Sequence, residues 1–178
     1  MWFLRRNAMR TQRMNVAMIL FFFLLAAVPF ASAIEKGEKY INFKLKDMKG
    51  ESVELSSHAG KVIFLDVWAS WCPPCSKELP FLMDAYEKYK DRGFMVIAVS
   101  VDDKEKNVVK FFKKLGRQPS FPVLYDPEKS VRHAYDLVGI PSSLIIGKDG
   151  KIAYEPRTGF EDSHADEITR QIEEALGK

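Results

Sequence analysis

An almost unbroken apolar run, Val62-Ile63-Phe64-Leu65-Asp66-Val67-Trp68, leads within four residues into Cys72-Pro73-Pro74-Cys75. Residues apolar on both faces mark a buried strand of a parallel-type sheet. Beyond the second cysteine, Leu79, Leu82, Tyr86 and Tyr89 recur at steps of three and four, a helical stripe ending near Gly93. Pro80 falls inside that helix and should kink it, freeing the Ser76 carbonyl. A strand, a turn bearing Cys-x-x-Cys and a helix open a β-α-β unit whose helix must lie on the sheet.

The remaining chain extends this unit. Phe43–Lys46 and Ser52–Leu55 alternate around the turn-rich Asp47-Met48-Lys49-Gly50, which predicts a β-hairpin. Phe94–Val99 reads as a second buried strand. Val108, Phe111, Phe112 and Leu115 form a helical face ended by Gly116, and Phe121–Tyr125 a short strand with Pro122 near its start. A short helix around Ser130–Tyr135 precedes Gly139-Ile140-Pro141. Ser143–Ile146 and Lys151–Tyr154 flank an Asp149-Gly150 turn as a second hairpin. The last helix buries Ala165, Ile168, Ile172 and Ala175 and is expected to be capped by Asp162 or Ser163. Asp102-Asp103, after a strand, reads as a helix cap rather than a metal pair. The expected fold class is α/β, a mixed central sheet with helices on both faces.

Cys72 and Cys75 are the only cysteines, which excludes a multi-disulfide scaffold and an all-cysteine zinc site. The three histidines, His58, His133 and His164, are scattered, so no metal and no cofactor is expected. At the start of a helix the first cysteine meets free amide N–H groups and the positive end of the dipole, which stabilise its thiolate. Thiol pKa values in such motifs fall to roughly 3.5–7.5. Pro73 suits the first turn, where its missing N–H costs nothing. Cys72 is therefore the candidate nucleophile and Cys75 the resolving thiol of a redox-active disulfide. A purely structural bridge is the bland alternative, but so short a loop removes little chain entropy. Two carboxylates join the catalytic candidates. Asp66 lies mid-strand between Phe64 and Trp68 on one face, where desolvation raises its pKa. Glu78 lies three residues after Cys75 on the same helical face, leaning toward it. Either could exchange a proton with Cys75.

Residues 1–33 have a different character. Arg5, Arg6, Arg10 and Arg13 precede an apolar stretch, Val16–Phe30, followed by Ala31-Ser32-Ala33. This order describes a secretory signal peptide cut after Ala33. As a helix the apolar stretch reaches only about 22 Å against a hydrocarbon core of about 30 Å, although an uncleaved anchor could just span a thinned bilayer. The expected division is thus 1–33 as signal or anchor and 34–178 as one domain working in the periplasm or another extracytoplasmic space. There the thiols meet oxidising conditions. The formal charge of +3 depends on this segment. Without its four arginines, 23 basic residues face 24 acidic ones, a net charge of −1. A nearly neutral body gives no reason to expect nucleic-acid binding.

Gly60–Cys75 with Glu78-Leu79-Pro80, Val99-Ser100-Val101-Asp102, and Gly139–Ile146 with Asp149-Gly150 resemble the TlpA/ResA branch of the thioredoxin superfamily, exported thiol–disulfide oxidoreductases. The resemblance spans the chain from about Ile41 onward. It implies a thioredoxin fold with an N-terminal hairpin and a helix–strand insert at about Asp102–Tyr125. It implies a cis Ile140–Pro141 bond beside the disulfide, with the Ile140 backbone pairing against an extended substrate. Substrate contacts are implied at Trp71, Pro73, Pro74, Ile140 and Pro141. Glu78 matches an acidic residue of the branch and Asp66 the buried acid of thioredoxin. The implied role is a monomeric reductant of exported protein thiols, for example in cytochrome c biogenesis, fed by a membrane electron donor.

Three rival readings share these residues. A thiol oxidant differs only in potential, about 30 mV for each tenfold in equilibrium. A peroxidase of the peroxiredoxin kind usually needs Pro-x-x-x-Thr-x-x-Cys, and here Leu65 and Ala69 hold the Pro and Thr positions. A peptide-binding module without turnover would use the disulfide only to shape a groove.

Overall fold

The computed structural model describes residues 34–177, so the expected signal or anchor segment lies outside the described residues. Among the described residues no helix is long and apolar enough to cross a membrane. Seven strands form the sheet: β1 (Lys44–Asp47), β2 (Ser52–Glu54), β3 (Val62–Trp68), β4 (Phe94–Ser100), β5 (Val123–Tyr125), β6 (Ser142–Ile146) and β7 (Arg157–Thr158). Their order is β2-β1-β5-β4-β3-β6-β7. The α-helices are α1 (Pro73–Tyr89), α2 (Glu105–Leu115), α3 (Ser130–Ala134) and α4 (Ala165–Leu176).

β3 pairs in parallel with β4 and antiparallel with β6, and every one of its residues is buried. That explains its run of apolar residues on both faces. Phe64, Asp66 and Trp68 share one face by strand alternation. Trp68 packs on Phe111 and Phe112 of α2, with ring centres 5.0 and 5.4 Å apart. Tyr89 of α1 donates a hydrogen bond to Glu173 of α4 at 2.6 Å, tying two helices together. The insert adds α2 and then β5, which lies between β4 and β1 inside the sheet. β5 begins only after Pro122, which has no N–H to give a ladder, while the Pro122 carbonyl accepts from Ala98 at 3.2 Å. The N-terminal hairpin forms as expected, with Leu45 opposite Val53.

Three local expectations need correction. The strand arm over Lys151–Tyr154 shrinks to single bridges, Lys39 with Lys151 and Ile146 with Ile152. Pairing with β6 resumes only at Arg157, because Pro156 interrupts the donors of the returning arm. Neither Asp162 nor Ser163 caps α4. They lie inside a 3₁₀ turn, Asp162–His164, which Glu161 caps by accepting from the His164 amide, while His164 Nδ1 accepts from the Glu161 amide at 3.2 Å. Asp102 and Asp103 do not cap α2 either. Its N-cap is Lys104, without a side-chain bond, and Asp103 pairs instead with Lys129 at 3.6 Å.

Candidate functional site

The site grows from the end of β3. Cys72 is the N-cap of α1, in extended conformation, followed by prolines that lack the N–H groups this turn would leave unpaired. The Cys75 amide donates to Cys72 Sγ at 3.3 Å, so the sulfur occupies the place a capping oxygen usually takes. The two cysteines form a disulfide with Cα atoms 5.3 Å apart. Both are buried, but Cys72 keeps 4% of its surface and Cys75 none. Once the bridge opens, the free amides and dipole of α1 favour negative charge on Cys72.

Glu78 lies three residues beyond Cys75 on α1 and interacts electrostatically with Asp66 of β3; both are wholly buried, with none of their four carboxyl oxygens hydrogen-bonded. Burial pushes Asp66 up to about 8. Glu78 is held well above the usual carboxyl range, first by burial and then by the Asp66 charge. Ser143, near but short of a hydrogen bond, and the Arg157 guanidinium pull it the other way. Ser143 stands directly across from Asp66 on β6. Two like charges without compensating donors are costly, so the pair retains a proton at neutral pH. The helical spacing places Glu78 on the Cys75 face as expected. Its complete burial, including loss of all solvent, is a tertiary result.

Asp102 proves to be a site residue that sequence reasoning misassigned. Its buried carboxylate accepts from the Ser70 amide at 2.8 Å, the Ser70 hydroxyl at 2.6 Å and the Ser100 hydroxyl at 2.9 Å. It therefore fixes the turn between β3 and α1. Nothing in the sequence links positions 70 and 102, and only the β3–β4 register, Trp68 opposite Ser100, brings them together.

The Ile140–Pro141 bond is cis. Val67 lies opposite Ser142, so this loop sits at the same end of the sheet from which Cys72 springs. Gly139 packs so close to Thr158 that a Cβ would stand 2.7 Å from its methyl, and the Pro141 carbonyl accepts from Gly159 at 2.8 Å. Pro141 is buried, Ile140 half-buried, and neighbouring Val138 is 82% exposed. Trp71 is 65% exposed, with Pro73 exposed and Pro74 half-buried beside it. Trp71, the cysteines, the prolines between them and the Ile140–Pro141 loop thus lie at one end of the sheet, while Asp66 sits within β3 and Glu78 further along α1.

The AhpC/TSA family model matches residues 36–155. A thiol-disulfide oxidoreductase ResA from Bacillus thuringiensis subsp. konkukian is 31% identical over 96% of this chain and 98% of that protein. The ResA of Bacillus subtilis is 37% identical over 67% of this chain and 66% of its own length. A crystal structure from Chlorobium tepidum, provisionally assigned as a thiol:disulfide interchange protein DsbE, superposes with a TM-score of 0.76 at 35% identity. It covers 81% of this chain and 99% of that one.

Proposed function

The chain belongs to the AhpC/TSA family and is a protein thiol–disulfide oxidoreductase of thioredoxin-like fold, and from that premise we propose a reductant of exported protein disulfides. In this reading residues 1–33 export or anchor the chain and residues 34–178 work outside the cytoplasm as a monomer. A membrane electron donor recharges the dithiol, and maturation of c-type cytochromes is one fitting use. The observation that carries it is the Cys72 sulfur at the N-cap of α1, accepting the Cys75 amide, together with two buried carboxyls.

The reduced protein starts with a Cys72 thiolate and a Cys75 thiol. Cys72 Sγ attacks a target disulfide, forms a mixed disulfide and expels one target thiolate. Asp66 or Glu78 takes the Cys75 proton, and Cys75 Sγ attacks Cys72 Sγ. The second target thiolate leaves and is protonated, two electrons have passed to the target, and the Cys72–Cys75 bridge is closed. Trp71, Pro73, Pro74, Ile140 and Pro141 hold the target segment, with the Ile140 backbone pairing along it. Leu65 and Ala69 are buried and apolar, so no hydroxyl stands where peroxide chemistry would use one.

A redox titration against dithiothreitol and glutathione tests the direction. A potential near thioredoxin's, about −270 mV, is expected, whereas one near about −120 mV makes the protein an oxidant. A bridge that mild reductants do not open overturns the reading.

A further inference from the structure

Between the first turn of α1 and the outer side of α2 lies a cleft of about 610 Å³, a size typical of ligand-binding clefts, about 300–1,000 Å³. Cys72 opens onto it, and Trp71, Phe111 and Leu115 give it apolar walls. Phe111 and Leu115 stay half-buried while Val108 and Phe112 of the same helix are fully covered. Lys110 and Lys114, one helical turn apart and exposed, also line it. No acidic side chain lines the cleft. Among the described residues neither lysine has an ion-pair partner. α2 carries four lysines against one glutamate, whereas the chain beyond residue 33 is nearly neutral. Two of these lysines, Lys110 and Lys114, line the cleft onto which Cys72 opens, so its rim is positively charged. None of residues 138–141 lines this cleft, so a segment lying along Ile140 leaves it free for neighbouring residues of the same target.

We propose that this cleft selects the protein substrate. It takes an apolar side chain next to the target cysteine, while Lys110 and Lys114 hold carboxylates that flank it. The occupant is an extended acidic segment of the target protein. The assignment rests on the exchange reading above and adds to it a substrate class. Charge complementarity across such a rim acts on encounter and specificity more than on chemistry.

The test uses the full-length protein, reduced beforehand, and two synthetic peptides. Each carries one cysteine capped as a mixed disulfide with 2-mercaptoethanol and one neighbouring phenylalanine, flanked by glutamates in one peptide and lysines in the other. Reduction turns the protein dithiol into its disulfide and releases the peptide thiol and 2-mercaptoethanol. At low salt the acidic peptide is expected to react with a second-order rate constant about tenfold higher than the basic one in this single turnover, the order of two exposed ion pairs. The ratio should shrink toward one at high salt. It should fall to an intermediate value in Lys110→Gln/Lys114→Gln and invert in Lys110→Glu/Lys114→Glu. A ratio of one in the natural protein, or one unchanged by charge reversal, overturns the cleft assignment. The neutral bis(2-hydroxyethyl) disulfide separates the two levels. If the natural protein reduces it but treats both peptides alike, only the cleft assignment falls. If it reduces none of the three, the exchange reading falls and the cleft assignment with it.

Discussion

Asp102 holds Ser70 by two hydrogen bonds, from the amide at 2.8 Å and the hydroxyl at 2.6 Å, and so braces the turn before Cys72 from the end of a neighbouring strand. The carboxylate is fully buried, and its other polar partner is Ser100. The nucleophile's position thus depends on a residue thirty places further along the chain.

Replacing Asp102 by alanine leaves buried donors unpaired and should cost about 3 kcal/mol of stability. Asp102→Asn keeps the shape but turns a donor toward donors, so it should lie between the two. Urea unfolding measures the loss. Stopped-flow mixing of each reduced variant with a peptide disulfide should show slower attack by Cys72, and an unchanged attack rate would confine Asp102 to stability alone.

Cys75→Ser should accumulate mixed disulfides through Cys72, because the resolving sulfur is gone. Cys72→Ser should trap no target, since Cys75 has no exposed surface. Mass spectrometry of trapped adducts checks both, and a target linked through Cys75 would reverse the assignment of roles.

Asp66→Asn and Glu78→Gln should each slow resolution about tenfold or more while changing the initial attack less, as expected when a proton acceptor is lost. The readout is the ratio of the two phases after mixing reduced protein with a peptide disulfide. Impairment of the attack phase alone would remove both carboxyls from the resolving step.

The same pair makes stability depend on pH. Asp66 rises from 3.8 to about 8 on folding, and Glu78 rises too. Between about pH 4 and 8 the native state therefore binds more protons than the unfolded chain, so stability falls as pH rises, by up to about 1.4 kcal/mol per pH unit for each proton. Denaturant titrations of the oxidised protein at pH 5, 7 and 9 should show this decline. Each single carboxyl variant should reduce the slope, and the double variant should flatten it.

Much of the architecture was legible because it is local. The two-sided apolar run of Val62–Trp68, the three-and-four spacing of Leu79, Leu82, Tyr86 and Tyr89, and the alternation around Asp47–Gly50 appear in the structure where the pattern places them. The misreadings share a cause. Asp102, Asp162 and Ser163 are good capping residues in isolation, but each helix start was decided by the path of the preceding chain. The arm over Lys151–Tyr154 shrank to single bridges because Pro156 in the returning chain outweighs the pull of the Asp-Gly turn.

Of the site, the sequence alone determined the dithiol, its order and its place at a helix start, since strand, turn and helix are contiguous and short-range geometry suffices. Only the tertiary structure decided that Glu78 is wholly buried, that Asp102 grips Ser70, and that Lys110 and Lys114 share a cleft with Cys72. Each of the last two joins residues some thirty or more positions apart. Such meetings follow from strand register and helix packing, which no local periodicity encodes.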